Sequence, residues 1–287
     1  MPSSSAASCR RAWPAPRRRA PRKARALSPP SRGPGSLPSW RSTRTGPSSC
    51  SAPSSILVAR DAARLRGAAD PIGHETGVAV DVMAADLTLP ADLAAVRDRV
   101  GEDSGLGFLV NCAGLGPLGP SLHSPAKLYD RMLDLNVRAL QTLTFAAARA
   151  FAERGGGTIV NVASAVALNP ECFNAGYAAQ KAFVLALTQG LVAEMGGKGV
   201  RLQAVLPGVT RTEFFERAGA DIGQIPAEMI MEAHDLVVAA LAGLDAGEIV
   251  TILSLTDCGD WQAFEAARFR LGPILSHRKP AARYGLA

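Results

Sequence analysis

From Ile56 to its end the chain alternates short apolar runs with longer helix-forming stretches, and that rhythm restricts the fold more than any other feature. The runs are Ile56–Ala59, Val78–Met83, Phe108–Cys112, Thr158–Ala163, Val200–Val205 and Glu248–Leu253. Each is too short for a stable helix and long enough for a strand. Between them, Arg60-Asp61 opens a polar helix, and Pro90 opens another through Val100, proline being suited to a first helical position. Ala126–Arg154 reads as amphipathic helix in one or two pieces, stopped by Gly155–Gly157. Asn174–Met195, Ala227–Ala242 and Trp261–Arg270 read as further helices. Strands joined through helices pair in parallel, because a tight hairpin cannot return the chain in the same direction. The pattern predicts an α/β protein with a doubly wound, Rossmann-like parallel sheet. Ligands of such sheets bind outside the carboxyl ends of the strands.

One constellation falls at such an end. Ser164 ends the run containing Ile159, Val160 and Val162, and Tyr177 and Lys181 follow on the next helix. Positions four apart share a helix face, so the phenol and the ammonium point into one site. This arrangement suits hydride transfer between a nicotinamide and a carbonyl or alcohol. Tyr177 exchanges the proton with the substrate oxygen, as acid in reduction and base in oxidation. A free phenol has a pKa of roughly 10, and a cation nearby lowers it. Lys181 is placed for that task, and the Ser164 hydroxyl for holding the substrate oxygen.

Together these motifs resemble the short-chain dehydrogenase/reductase family over about four fifths of the chain. Asn111-Cys112-Ala113-Gly114 is similar to the family's NAG turn, and Asn136 in DLNV to its helix asparagine. Ser164, Tyr177 and Lys181 match the catalytic residues. Pro207-Gly208 and Thr212 match the PG turn that covers the nicotinamide. The resemblance implies that Lys181 also bonds the nicotinamide ribose and that Asn136 holds a water of a proton relay behind the lysine. Asp86-Leu87 looks like the adenine contact. Read singly, Asn136 is also explained as a cap of backbone groups at a helix bend, Ser164 as a solvated hydroxyl and Tyr177 as packing.

Arg60 follows the run ILVA directly. An acidic side chain there suits the ribose hydroxyl of NAD, whereas an arginine suits the 2′-phosphate of NADP. The residue choice favours NADP(H) over NAD(H). The segment after Gly208 carries Phe214, Phe215, Ile222, Ile225, Met229, Ile230 and Met231, and Leu115, Leu118, Leu168, Pro170, Cys172 and Phe173 flank the predicted site. They predict either an apolar, adaptable pocket for a small carbonyl or alcohol substrate or simple packing of a lid.

Residues 1–55 differ in kind. They hold eleven of the 31 Lys and Arg, no Asp or Glu, and half of the 20 prolines. What remains, 20 basic against 25 acidic residues, leaves residues 56–287 with a net of −5. The overall charge of +6 therefore says nothing of nucleic-acid affinity in the folded part. The first 55 residues read as a disordered basic segment, and 56–287 as the oxidoreductase domain. The family's first strand and TGxxxGxG turn are expected some twenty residues before Arg60. The text there has glycines at 33, 35 and 46, but Pro34 and Pro38 oppose both a strand and a helix. Without that strand the sheet has an interior gap, and the cofactor loses its main phosphate site.

Three origins compete for 1–55. A shifted reading frame ranks first, an Arg- and Ser-rich transit sequence second, and a basic arm for nucleic acid or anionic lipid third. They leave two rivals to an active NADP(H) enzyme: a cofactor-deficient remnant and a basic-arm binding protein.

The five cysteines, Cys9, Cys50, Cys112, Cys172 and Cys258, show no paired spacing. They read as reduced thiols of a cytoplasmic protein. Four histidines without ligand spacing predict no metal. No uninterrupted apolar run of 18 residues and no apolar signal region near the start predict neither a membrane span nor a secretory signal. Nucleic acid and membrane are not expected partners of the folded part. The resemblance implies a homodimer or homotetramer.

Overall fold

A computed structural model describes residues 54–285, apart from 118, 219 and 220. The order is β1 (Ser54–Ala59), α1 (Ala62–Thr76), β2 (Ala79–Ala84), α2 (Pro90–Glu102), β3 (Phe108–Asn111), α3 (Ala126–Leu133) and α4 (Leu140–Glu153). Then follow β4 (Gly157–Val162), α5 (Ala175–Glu194), β5 (Val200–Leu206), β6 (Val209–Arg211), α6 (Phe214–Arg217), β7 (Ile230–Glu232), α7 (Ala233–Asp245), β8 (Val250–Ile252) and α8 (Cys258–Leu271). All strand pairs are parallel, as the strand–helix alternation requires.

Local chemistry fixes the boundaries. Asp61 caps α1 by accepting from the backbone N–H groups of Ala63 and Arg64 at 2.9 and 3.0 Å. Gly77 closes it in the left-handed region at φ 68°, where a glycine carries no steric penalty. Pro90 stands in the first turn of α2. Between α3 and α4 the helix widens into a π-helical turn over Asp134–Ala139. The expected helix over Ala126–Arg154 is thus two α-helices joined by a bulge, a feature that often marks a functional site.

The lid departs from expectation. Ala227–Ala242 does not form one helix. Residues 227–229 make a single 3-10 turn, 230–232 pair with β6, and α7 begins only at Ala233. Pro226 precedes the turn, and the apolar text Ile230-Met231 is taken up by strand pairing rather than by a helix face.

The sheet is divided. β1 pairs with β2, and β3–β4–β5–β8 form a second sheet. Among the described residues, no strand occupies the free edges of β1 and β3. Val110 in β3 is 51% exposed, unusual for a parallel strand, which is normally covered on both faces. Both sheets nevertheless share one core. Val58 and Met83 pack on the cluster that holds Val96, Val100, Leu143, Phe151, Ile159 and Leu202, as does Leu109. Residues 1–53, the stretch whose sequence lacks the family's first strand and glycine-rich turn, lie outside the described ones, Cys9 and Cys50 among them. No helix among the described residues is long and apolar enough to cross a membrane.

Candidate active site

The site is built at the carboxyl ends of β4 and β5. Ala163 N donates to Val205 O and Ala165 N to Pro207 O, both at 2.8 Å. These two bonds tie the segment leaving β4 to the segment leaving β5, with Ser164 between them. Ser164 Oγ lies 3.4 Å from Pro207 O and takes the N–H of Val166 at 3.4 Å. On the facing helix, Asn174 caps α5 by accepting from Tyr177 N at 3.1 Å. The cap fixes the turn that carries the tyrosine.

Tyr177 and Lys181 stand on one face of α5, with Lys181 Nζ 5.7 Å from the centre of the Tyr177 ring. The Ser164 hydroxyl lies near enough to the phenol to act on its ionisation. Ser164 and Lys181 thus both neighbour the Tyr177 side chain. Burial raises the phenol above its ordinary value, and Ser164 works in the opposite direction. The expected lowering of the phenol by the lysine is not found; burial sets the direction, and the opposing influence comes from Ser164. Burial also lowers the Lys181 ammonium to about 8, against a rise from the nearby Cys112. The lysine is 6% exposed and donates to Val162 O at 2.9 Å.

Asn136 lies in the π-helical turn, 1% exposed. Its Oδ1 accepts from Leu115 N at 2.8 Å, and its Nδ2 donates to Leu115 O at 2.7 Å. The same nitrogen donates to Gln180 Oε1 at 2.8 Å. Asn136 thus clamps the loop after β3 to α5, a backbone-capping part played across elements rather than within its own helix. No signal in the sequence singled out Gln180. Its place next to Lys181 on α5 is the clue that could have done so.

Asn111 turns its side chain into the sheet. It donates to Thr144 Oγ1 at 3.0 Å and to Asn161 Oδ1 at 2.9 Å, and Asn161 donates to Thr188 Oγ1 at 2.9 Å. This chain crosses from β3 through β4 to α5 with every side-chain polar group satisfied. The Asn111 side chain belongs to this network beneath the site. Ala113 and Gly114 form the loop above it. A Cβ at Gly114 would lie 3.9 Å from Lys181 Nζ, close enough for that loop to roof the lysine.

The expected cofactor residues follow the carboxyl ends of β1, β2, β3 and β5. Arg60 is exposed at the end of β1, 4.0 Å from Asp86. Asp86 accepts from the Thr88 hydroxyl and backbone N–H at 2.7 and 3.0 Å, so its carboxylate braces its own turn. Burial would raise that carboxyl, but the Thr88 bonds and Arg60 hold it below the usual range. Leu87 packs on the main core. Pro207 is buried and Gly208 exposed. The Thr212 hydroxyl accepts from Phe214 N at 3.3 Å and so steers the start of the lid. Of the lid residues, Phe214 alone has an aromatic contact with Tyr177, at 6.0 Å between ring centres. Leu168 packs in the core, while Phe173 and Met229 are 54% and 60% exposed. Leu118 lies outside the described residues. No group of three His, Cys, Asp or Glu among the described residues could hold a metal.

A family model described as short chain dehydrogenase matches residues 52–223. A 3alpha-hydroxysteroid dehydrogenase of Mediterraneibacter gnavus is 32% identical over 174 residues, which are 56% of this chain and 70% of that protein. The chain spans from 43% to 79% of the length of several curated relatives. A short-chain dehydrogenase from Sphingobium yanoikuyae, solved in complex with NADPH, is 44% identical with a TM-score of 0.77, covering 80% of this chain and 89% of that one. A bulky-bulky ketone specific alcohol dehydrogenase from Comamonas testosteroni is 41% identical, with a TM-score of 0.73 over 80% and 87% of the two chains.

Proposed function

This chain belongs to the short-chain dehydrogenase/reductase family of oxidoreductases acting on alcohols and carbonyls, and on that premise we propose that it interconverts a small apolar carbonyl compound and its alcohol with NADP(H). The observation that carries the reading is the meeting of Ser164, Tyr177 and Lys181 at the carboxyl end of β4. A bound nicotinamide supplies the hydride in reduction and accepts it in oxidation. The protein's own part is proton movement and orientation. The Tyr177 hydroxyl gives its proton to the substrate oxygen in reduction and takes one in oxidation. The Ser164 hydroxyl steadies the charge that develops on that oxygen. Lys181, charged at neutral pH with an ammonium near 8, favours the phenolate when the proton leaves.

The residues present fit the cofactor in part. Gly114 lets its loop approach Lys181 closely, and the exposed Arg60 guanidinium would be available to a 2′-phosphate. Arg64, one turn on, is already paired with Glu213. The preference for NADP(H) therefore rests mainly on Arg60, and the complex of the Sphingobium protein with NADPH is in keeping with it. Fluorescence titration of the full chain with NADPH and NADH tests this. Tighter NADPH binding supports it, and equal or reversed affinities contradict it.

A second reading, weak cofactor binding by an otherwise intact oxidoreductase domain, is supported by the divided sheet and the half-exposed Val110. The same titration separates the two. Saturation at micromolar NADPH supports the first, and no saturation at millimolar NADPH the second.

A further inference from the structure

The glycine at 116 is not required by its backbone. Its φ lies outside the left-handed region that favours glycine. Space requires it instead. A Cβ at Gly116 would collide with Cζ of Phe214 and stand 2.9 Å from its Cε1. The phenyl ring thus occupies the place a side chain would fill. From that seat it faces Tyr177, with ring centres 6.0 Å apart and planes inclined at 45°. Phe215 backs it edge-on at 5.7 Å. Glu213 anchors the same short helix, pairing with Arg64 on α1 and with Arg217.

We infer that Gly116 and Phe214 form a size gate, in which the Phe214 ring limits the bulk of the carbonyl substituent lying beside the Tyr177 phenol. The inference rests on the catalytic reading of Tyr177, since that phenol defines where the carbonyl oxygen lies. With the oxygen there, one of the two carbon substituents points toward α6. Ring centres 6.0 Å apart leave no room for a further aryl group between Tyr177 and Phe214, since two rings in direct contact already fill that separation. A methyl group asks for less displacement of the ring than an aryl group does. A second aryl group requires the ring to leave its seat, and Gly116 is what makes the seat available.

Affinities of acetophenone and benzophenone, measured by ligand-observed NMR on the full chain, test this without turnover. Phe214→Ala is expected to shift the affinity ratio toward benzophenone by tenfold or more. Gly116→Ala, which evicts the ring, is expected to shift it the same way by a smaller factor. Added to Phe214→Ala it is expected to do nothing further, because the ring it would evict is gone. Phe214→Leu, which keeps the helix packed, is expected to fall between wild type and Phe214→Ala. An unchanged ratio in both Phe214 variants overturns the gate. So do additive effects in the double variant, and so does failure of the wild type and the Phe214→Ala protein to bind either ketone. Tyr177→Phe distinguishes the underlying reading: if it leaves ketone reduction intact, the catalytic assignment fails whatever the affinity ratio shows.

Discussion

The side-chain amide of Asn136 donates to Oε1 of Gln180 at 2.8 Å, joining the π-helical turn to the helix that carries Tyr177 and Lys181. Both residues are buried, at 1% and 4% exposure. The bond fixes which way the Asn136 amide faces, and so holds both of its bonds to Leu115.

Replacing Gln180 by Leu removes the acceptor and leaves a buried N–H short of a partner. We expect a loss of about 1–3 kcal/mol in urea unfolding. Gln180→Glu keeps an acceptor at the same position and is expected to recover part of the loss. Equal stabilities of the wild type and the Leu variant would show that the clamp contributes nothing.

The network beneath the site gives a second expectation. Thr188 is fully buried, accepts from Asn161 and donates to Val184 O at 2.8 Å. Thr188→Val keeps the shape and deletes both bonds, stranding the Asn161 amide. The expected cost is again about 1–3 kcal/mol. It should be clearly larger than that of a threonine-to-valine change on the surface, with thermal unfolding as the measurement.

How much of this was legible in the sequence follows from what periodicity and motif can carry. The strands announced themselves as apolar runs, since a parallel strand must be apolar on both faces. The site announced itself because Tyr177 and Lys181 share a helix face whatever the surroundings. Gln180, Asn161 and Thr188 stayed hidden because each looks like an isolated polar residue until tertiary packing supplies its partner. The start of α7 was misread for a related reason. Ile230 and Met231 suit a helix face and a short strand equally, and the partner strand, Val209–Arg211, is too brief to show as a run. The sign of the Tyr177 shift depended on burial, which spacing does not report.

Lys181 carries a prediction about pH. Its ammonium is lowered from an ordinary value near 10.5 to about 8 in the folded state. Below pH 8 both folded and unfolded chains hold the proton, and the burial penalty is fully present. Between pH 8 and 10 the folded chain has released it while the unfolded chain has not. Stability must then rise with pH across that window, because the unfolded state binds more protons. The total relief is on the order of 3 kcal/mol. Above pH 10 the buried Tyr177 acts in the opposite direction, since the unfolded phenol ionises first. Urea unfolding of the wild type and Lys181→Met between pH 7 and 10 checks this. The wild type should gain on the variant, and parallel curves would exclude it.

Arg60 should discriminate between the two nicotinamide cofactors. Its guanidinium suits a phosphate and has no counterpart in NADH recognition. Arg60→Ala is expected to weaken NADPH binding by about tenfold and to leave NADH binding within about twofold, on the usual scale of one lost charge-assisted contact. Fluorescence titration with both cofactors reads the difference, and equal losses for both would place the phosphate elsewhere.

Tyr177→Phe removes one oxygen atom and keeps the ring against Phe214. Its effect on NADPH-dependent ketone reduction by the full chain is therefore the most direct measurement of whether the phenol moves the proton. We predict a fall in kcat of about a thousandfold, within the usual range for deleting a general acid, with the unfolding midpoint nearly unchanged. Reduction at the wild-type rate by a folded Tyr177→Phe protein would contradict the assignment of Tyr177, and with it the roles given to Ser164 and Lys181.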